Sequence, residues 1–95
     1  MAQLTLPQEL THARAQDWLQ SLLVVLRADP EPLITADASR LTRFDSSALA
    51  VLLACRREAM SEGKTFEVAH IPDQLRQLAV VYGVADLLLG TGNQD

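Results

Sequence analysis

The residues of this chain best suited to chemistry are Asp45, Ser46 and Ser47, which come directly before an aliphatic run. Asp and Ser are both favoured at the N-cap, so a helix can begin at Asp45 or at Ser46. The first N–H groups of a helix have no partner within it and favour negative charge nearby. A phosphoryl group on an exposed Ser46 hydroxyl would bring about −1.5 to −2 charges to this place. Ser46 is therefore a candidate phosphorylation site, and simple helix capping is the alternative role of the triplet.

Other reactive patterns have little support in the sequence. Neither serine lies in a Gly-x-Ser-x-Gly nucleophile elbow. No histidine is adjacent to Asp45 in the sequence to act as a general base between this carboxylate and a serine nucleophile. The Gly-Lys-Thr run at 63–65 imitates the end of a P-loop, but there a helix leads into a strand, which is the wrong order. His12 and His70 are far apart, and no Cys-x-x-Cys pair exists. We expect no enzymatic activity, no cofactor and no metal site.

Strand and helix patterns alternate along the chain. Short strands are predicted at Gln3 to Leu10, Leu33 to Ala38 and Thr65 to Ile71, the first ending early or lying at an edge because of Pro7. Helices are predicted from Thr11 to Ala28, from the Asp-Ser-Ser turn to Gly63, and from Pro72 to Gly83, with a final apolar turn at Ala85 to Leu89. This order predicts an α/β fold with a small, mostly parallel sheet and helices packed on it.

Composition limits the classes of function. The chain has 95 residues, 48% hydrophobic, and fits a single domain over 1–95 with a frayed tail at about 90–95. A net charge of −4 without a basic cluster argues against nucleic acid. The single cysteine, Cys55, lies in an apolar stretch and is expected to be a buried thiol of a cytoplasmic protein. The longest apolar run, Ala48 to Cys55, is too short to cross a bilayer, so direct membrane insertion is not expected.

The Asp-Ser-Ser turn follows a central strand of the predicted parallel sheet, where open α/β sheets place their sites. A partner-binding surface there is expected to include Arg43, Asp45, Ser46, Ser47, Ala48, Trp18 and Tyr82. Several alternatives remain open. Arg43 and the nearby Arg40 can be ordinary solvated loop residues, Trp18 can belong to the edge of the core, and Tyr82 can be buried under its helix.

The motifs also resemble a known family. The run from Leu41 to Leu53, in which Asp-Ser-Ser enters an aliphatic helix, resembles the signature loop of the STAS domain family. The segments Leu4 to Thr11 and Leu33 to Ser39 are similar to the early and central strands of that family. The segment Leu75 to Val84 is similar to its closing helix, and its Tyr-Gly-Val ending is most similar to the small STAS subunit of the Mla-type phospholipid ABC transporter.

This resemblance implies a STAS-like single domain and two possible roles. In the transporter, the subunit is cytoplasmic and binds the ATPase subunit, so a non-catalytic module that stabilises or activates the ATPase is expected, peripheral to the inner membrane through its partner. Such a system maintains outer-membrane lipid asymmetry. The alternative is an anti-sigma factor antagonist, switched when an anti-sigma factor kinase phosphorylates Ser46. Ala48, where the antagonists usually have Gly, and the shortened N-terminal hairpin count against this alternative.

Overall fold

The computed structural model describes residues 2–89 and contains five strands and four helices within that range. The strands are β1 (Ala2–Thr5), β2 (Glu9–Leu10), β3 (Leu33–Asp37), β4 (Arg43–Phe44) and β5 (Thr65–Ala69). The helices are α1 (His12–Ala28), α2 (Ser46–Ser61), α3 (Asp73–Val81) and α4 (Ala85–Leu89). The alternation of strands and helices confirms the predicted α/β class.

The main sheet has the strand order β1-β3-β5, and both of its pairings are parallel. Because the order advances in one direction, right-handed crossovers place successive helices on the same face of the sheet. The burial pattern agrees, since every second residue of β3 and β5 is buried, among them Ile34 and Val68. The opposite face carries Gln3, Thr35 and Glu67 side by side in register. The sheet is therefore covered on one side and polar on the other.

The core lies between the helices and the covered face of the sheet. Its largest fully buried side chains are Leu6, Leu10, Leu26, Ile34, Leu52, Leu75, Leu88 and Cys55. They come from all layers of the fold, so burying them fixes the helices on the strands. Burial also raises the pKa of the Cys55 thiol to about 11, which agrees with its expected role as a buried structural residue.

The C-terminal end of α1 is held by a lysine that is distant in sequence. The Lys64 Nζ donates to the carbonyl oxygens of Leu26 at 2.9 Å and of Asp29 at 2.6 Å, and to the carboxylate of Glu62 at 3.0 Å. Two of these acceptors lie at the end of α1, where carbonyls lack partners within the helix. The ammonium therefore ties α1 to the junction between α2 and β5.

Two helices end in a Schellman motif built on glycine. After α2, Gly63 donates to the carbonyl of Met60 and Lys64 to that of Ala59. After α3, Gly83 donates to the carbonyl of Val80 and the next amide, that of Val84, to the carbonyl of Ala79. Both glycines have φ of +74°, which an L-residue adopts only with strain. The predicted glycine ends of both helices are confirmed.

Most predicted boundaries agree with the structure, and the differences are local. The strand β1 ends before Pro7, and α1 ends at Ala28 as expected. Pro72 is the N-cap of α3, not a residue of its first turn. The predicted third strand stops at Ala69, because His70 adopts a φ of +58° that ends the extended backbone. The expected frayed tail at 90–95 lies outside the described residues.

Candidate functional site

A short parallel ladder brings the starts of α1 and α2 together. In this ladder Glu9 pairs with Arg43 and Leu10 with Phe44, and the chain enters α1 and α2 within two residues of it. The Gln8 carbonyl strengthens it by accepting from the backbone N–H groups of residues 42 and 43. Parallel strands run in the same direction, so the two helices that follow begin side by side. The N-termini of α1 and α2 therefore share one end of the molecule.

The carboxylate of Asp45 joins these two helix starts. One oxygen accepts from the Ser47 backbone N–H at 2.9 Å, which is the N-cap bond of α2, and the other accepts from the His12 backbone N–H at 3.1 Å. Thr11 is the N-cap residue of α1 but forms no side-chain cap bond. The bond from His12, followed by that from Ser47, lowers the pKa of Asp45 below its ordinary value. The Asp45 carboxylate thus connects the N-terminal ends of α1 and α2.

The two serines after Asp45 lie in different surroundings. Ser46 is exposed and lines an apolar hollow beside α2. Ser47 is half-buried, and its Oγ lies 3.5 Å from the Nδ1 of His12. The carboxylate of Asp45 contacts the backbone of His12 and not its ring, so no Asp–His–Ser relay is formed. Ser46 is the more accessible hydroxyl, as phosphorylation would require.

Mostly apolar residues from the start of α2 and the end of α3 line two hollows. One hollow is lined by Ser46, Leu49, Ala50, Leu53, Tyr82 and Val84. A neighbouring hollow is lined by Phe44, Gln74, Gln77, Leu78 and Val81. The two hollows share no lining residue, but Phe44 of one lies two positions before Ser46 of the other, and Val81 directly precedes Tyr82. We call the two hollows together the α2–α3 cleft, and none of its lining side chains is charged.

The end of α3 exposes apolar side chains beside this cleft. The helix buries Leu75 and Ala79 on its inner side, whereas Val80 is 62% exposed, Val81 78% and Tyr82 60%. Contiguous exposed apolar surface with a polar rim is typical of binding sites. Aromatic residues such as Tyr82 are enriched in the cores of protein–protein interfaces. The cleft can therefore receive an apolar segment of another molecule.

The structure brings only some of the expected site residues together. Ser46 and Tyr82 line the same hollow, so Tyr82 is not buried under its helix. Trp18 lies elsewhere, half-buried beside a hollow that it shares with Arg40 and the segment 5–8. Ala48 must be corrected, because its side chain is fully buried and cannot contact a partner.

Several residues of the cleft were missed by sequence reasoning, namely Phe44, Leu53 and Val81. The sequence does contain a signal for the exposure of Val81. Three apolar residues in succession, 80–82, cannot all face the core from one helix, so part of this run had to be exposed. Phe44 lies in the two-residue strand β4, and so short a strand has no periodicity by which it could be predicted.

Comparison with known protein families identifies the family of this chain. A family model described as "Mlab, STAS domain" matches residues 1–90. The chain belongs to the STAS domain family. No curated protein sequence matches it. STAS domains of this type are generally non-enzymatic binding modules, and in this one the Asp-Ser-Ser turn forms the start of α2.

Within residues 2–89 no helix has the length and apolar character needed to cross a membrane. The same residues contain no group of three or more His, Cys, Asp or Glu side chains that could hold a metal ion.

Proposed function

We propose that this STAS domain docks on the ATPase subunit of a Mla-type phospholipid ABC transporter and stabilises or activates it. The observation that carries this proposal is the α2–α3 cleft, where exposed Val81 and Tyr82 adjoin the Ser46 turn. The family match supports a STAS module of the Mlab type. In this role the domain is cytoplasmic and reaches the inner membrane only through its partner.

The chemistry of the cleft favours a protein partner. Its lining side chains are uncharged, so an apolar segment can displace water from it without stranding a buried charge. Tyr82 offers a rigid aromatic ring together with a hydroxyl that can form a hydrogen bond. Such residues are typical hot spots of interfaces. We therefore expect Val81 and Tyr82 to contribute much of the affinity.

The Ser46 turn gives the docking surface a fixed edge. Asp45 holds the starts of α1 and α2 together, and this keeps Ser46 at the rim of the cleft. A charge at Ser46 would lie in a contact from which the partner excludes water, so Ser46→Asp is expected to weaken docking. Folding should change little, because Asp45 still caps α2.

Co-expression with the Mla-type ATPase of the same organism tests the proposal. The expected result is a stable complex of the two purified proteins whose affinity can be measured by calorimetry. Val81→Asp should weaken it by at least about 30-fold, because a carboxylate would be buried in the cleft. Val24→Asp is the matched control, since Val24 is 64% exposed on α1, away from the cleft.

Equal affinities of the two aspartate variants would remove the cleft from the interface. Failure of the native chain to bind the ATPase would overturn the proposed function itself. Recovery of a histidine-kinase-like anti-sigma factor from the native host, with phosphate on Ser46, would favour the antagonist role instead. Thermal unfolding of each variant shows whether a loss of binding reflects a loss of folding.

A further inference from the structure

The outer edge of β1 is open. Among the described strands, β1 pairs only with β3 and lies at one edge of the main sheet. The Leu6 N–H donates to the Asp37 carbonyl, and in a parallel ladder this bond fixes which residues of the strand face β3. The backbone N–H and C=O groups of Gln3 and Thr5 therefore point away from β3. They form a row of donors and acceptors to which another strand can pair.

The two edges of the main sheet differ in their protection. Natural edge strands are commonly protected by charged side chains or by a helix that packs on them. The strand β5 has Glu67 at its centre, and α4 packs against this strand. By contrast, β1 has the sequence Ala-Gln-Leu-Thr, in which no residue is charged. Pro7 has no N–H, so a ladder added to this edge would end at Leu6.

One side of α1 adds apolar surface beside this open edge. His12 and Arg27 bond to the N-cap of α2 and to α2 itself, so they mark the side of α1 that faces α2. At about 100° per residue, Trp18 and Val25 lie on the opposite side of the helix, about two turns apart. Trp18 is half-buried beside residues 5–8, and Val25 is 49% exposed. The open edge and these two side chains therefore form one surface, which we call the β1 face.

We propose that the β1 face binds a second copy of this chain, with the two β1 strands antiparallel about a two-fold axis at Leu4. Gln3 of each copy then lies opposite Thr5 of the other, and every outward N–H meets an outward C=O. Because α1 packs over β1, the axis also brings the two α1 helices side by side in opposite directions. Trp18 of each copy is then directed toward Val25 of the other, and both side chains lose contact with water.

The β1 face favours a second copy because it is complementary to itself. The paired strands oppose no like charges, whereas two β5 strands would bring their Glu67 carboxylates close together. A head-to-tail arrangement would join β1 to the β5 edge and would continue without closing, whereas the two-fold arrangement closes as a dimer. No residue of β1 or α1 lines the α2–α3 cleft, so both clefts of the dimer stay accessible. The inference is therefore independent of the proposed function.

Sedimentation of the purified full chain over a concentration series tests the inference, and a reversible dimer is the expected result. Thr5→Pro removes an outward N–H that has no partner in the main sheet, and it should weaken the dimer by at least about tenfold. Val25→Glu should have an effect of at least about the same size, because a carboxylate would be buried against Trp18. Val24→Glu is the matched control. Val24 is 64% exposed and lies outside the β1 face, so this variant should stay within about twofold of the native chain.

A cross-linking experiment tests the antiparallel register. In a hydrogen-bonded antiparallel pair the two Cα atoms lie about 5.5 Å apart, a distance that a disulfide can span. A mixture of Gln3→Cys and Thr5→Cys chains should therefore form a mixed disulfide dimer under mild oxidation. Each variant alone should cross-link much less, because identical positions are not opposite each other in this register. The native Cys55 is buried and should not compete.

Two results would overturn the inference: a native chain that sediments as a monomer at every concentration, or a dimer that Val25→Glu and Val24→Glu affect equally. Thermal unfolding shows whether each variant is folded, and the pair of valine variants decides the matter if Thr5→Pro is not. A monomeric native chain whose ATPase binding is weakened by Thr5→Pro would assign the edge to the ATPase, which also overturns the inference. A dimer that does not bind the ATPase would overturn only the proposed function.

Discussion

The ends of α2 and α3 use the same backbone motif for different purposes. Both finish at a glycine with φ of +74°, and both close with the same pair of hydrogen bonds. After Gly63 comes Lys64, whose side chain turns inward and binds carbonyls at the end of α1. After Gly83 comes Val84, which lines the cleft together with Tyr82. The residues after α2 thus stabilise the fold, whereas the residues after α3 line the cleft.

The difference arises from the side chains around each glycine. The last turn of α2 contributes the polar residues Glu58 and Ser61 beside an exposed Met60, and the lysine that follows finds acceptors nearby. The last turn of α3 contributes Val80 and Val81, which the core does not cover. A helix end of one geometry can therefore serve stability or recognition, and the flanking residues decide which. Substitutions at the two ends should separate these roles.

The largest expected effect on stability comes from Lys64→Met. It removes the side-chain donor of the Asp29 carbonyl and one of the two donors of the Leu26 carbonyl in a part-buried place, and it should lower the free energy of unfolding by about 2 kcal/mol. Arg76→Met is the control, because Arg76 forms an exposed ion pair whose loss should matter by under about 0.5 kcal/mol. Urea unfolding of the native chain and of the two variants measures both changes in the free energy of unfolding. Similar values for the two variants would contradict a fastening role of Lys64.

An intermediate effect is expected when alanine replaces either glycine. No atom within 4 Å of either position would obstruct a methyl group, so the penalty is backbone strain alone, about 1 kcal/mol in each case. Gly63→Ala and Gly83→Ala should therefore unfold at similar urea concentrations. Only Gly83→Ala should also weaken ATPase binding, because it disturbs the turn that holds Tyr82 and Val84. Equal losses of affinity would show that the ends do not differ in function.

The third expected effect is similar in size at neutral pH but depends on pH, and it concerns Asp45 at the start of α2. Asp45→Ala removes the cap of α2 and the tie to His12, and it should lower stability by about 1 kcal/mol at pH 7. The pKa of Asp45 is lowered in the folded state, so its contribution is present above the unfolded pKa and is lost as pH falls through the folded value. The difference between native and Asp45→Ala should therefore shrink below about pH 4. A difference that does not begin to shrink as pH falls below about 4 would contradict the role of the carboxylate.

Much of the fold could be predicted from local patterns. The ends of α1 and α2 follow from Pro30 and Gly63, and the Schellman contact of Val84 follows from the glycine before it. The parallel sheet follows from the alternation of strand and helix patterns. These features are readable because each depends on residues close together in the chain.

The features that escaped prediction join residues far apart. Lys64 contacts Leu26, and Asp45 contacts the backbone of His12, each across more than thirty positions of the sequence. Periodicity does not report such contacts. The exposure of Tyr82 was also undecided, because it lies just after α3, where the helical stripe no longer fixes the direction of a side chain. The docking surface was therefore only partly predictable.

The sheet has a further consequence for folding kinetics. Both of its strand pairings join residues 32 positions apart, as in Ala2 with Ile34 and Ile34 with Phe66. No hairpin of adjacent strands is available to form first, so every pairing of this sheet must close a long loop that contains a helix. The central strand β3 belongs to both closures. Its formation is the step through which the main sheet must assemble.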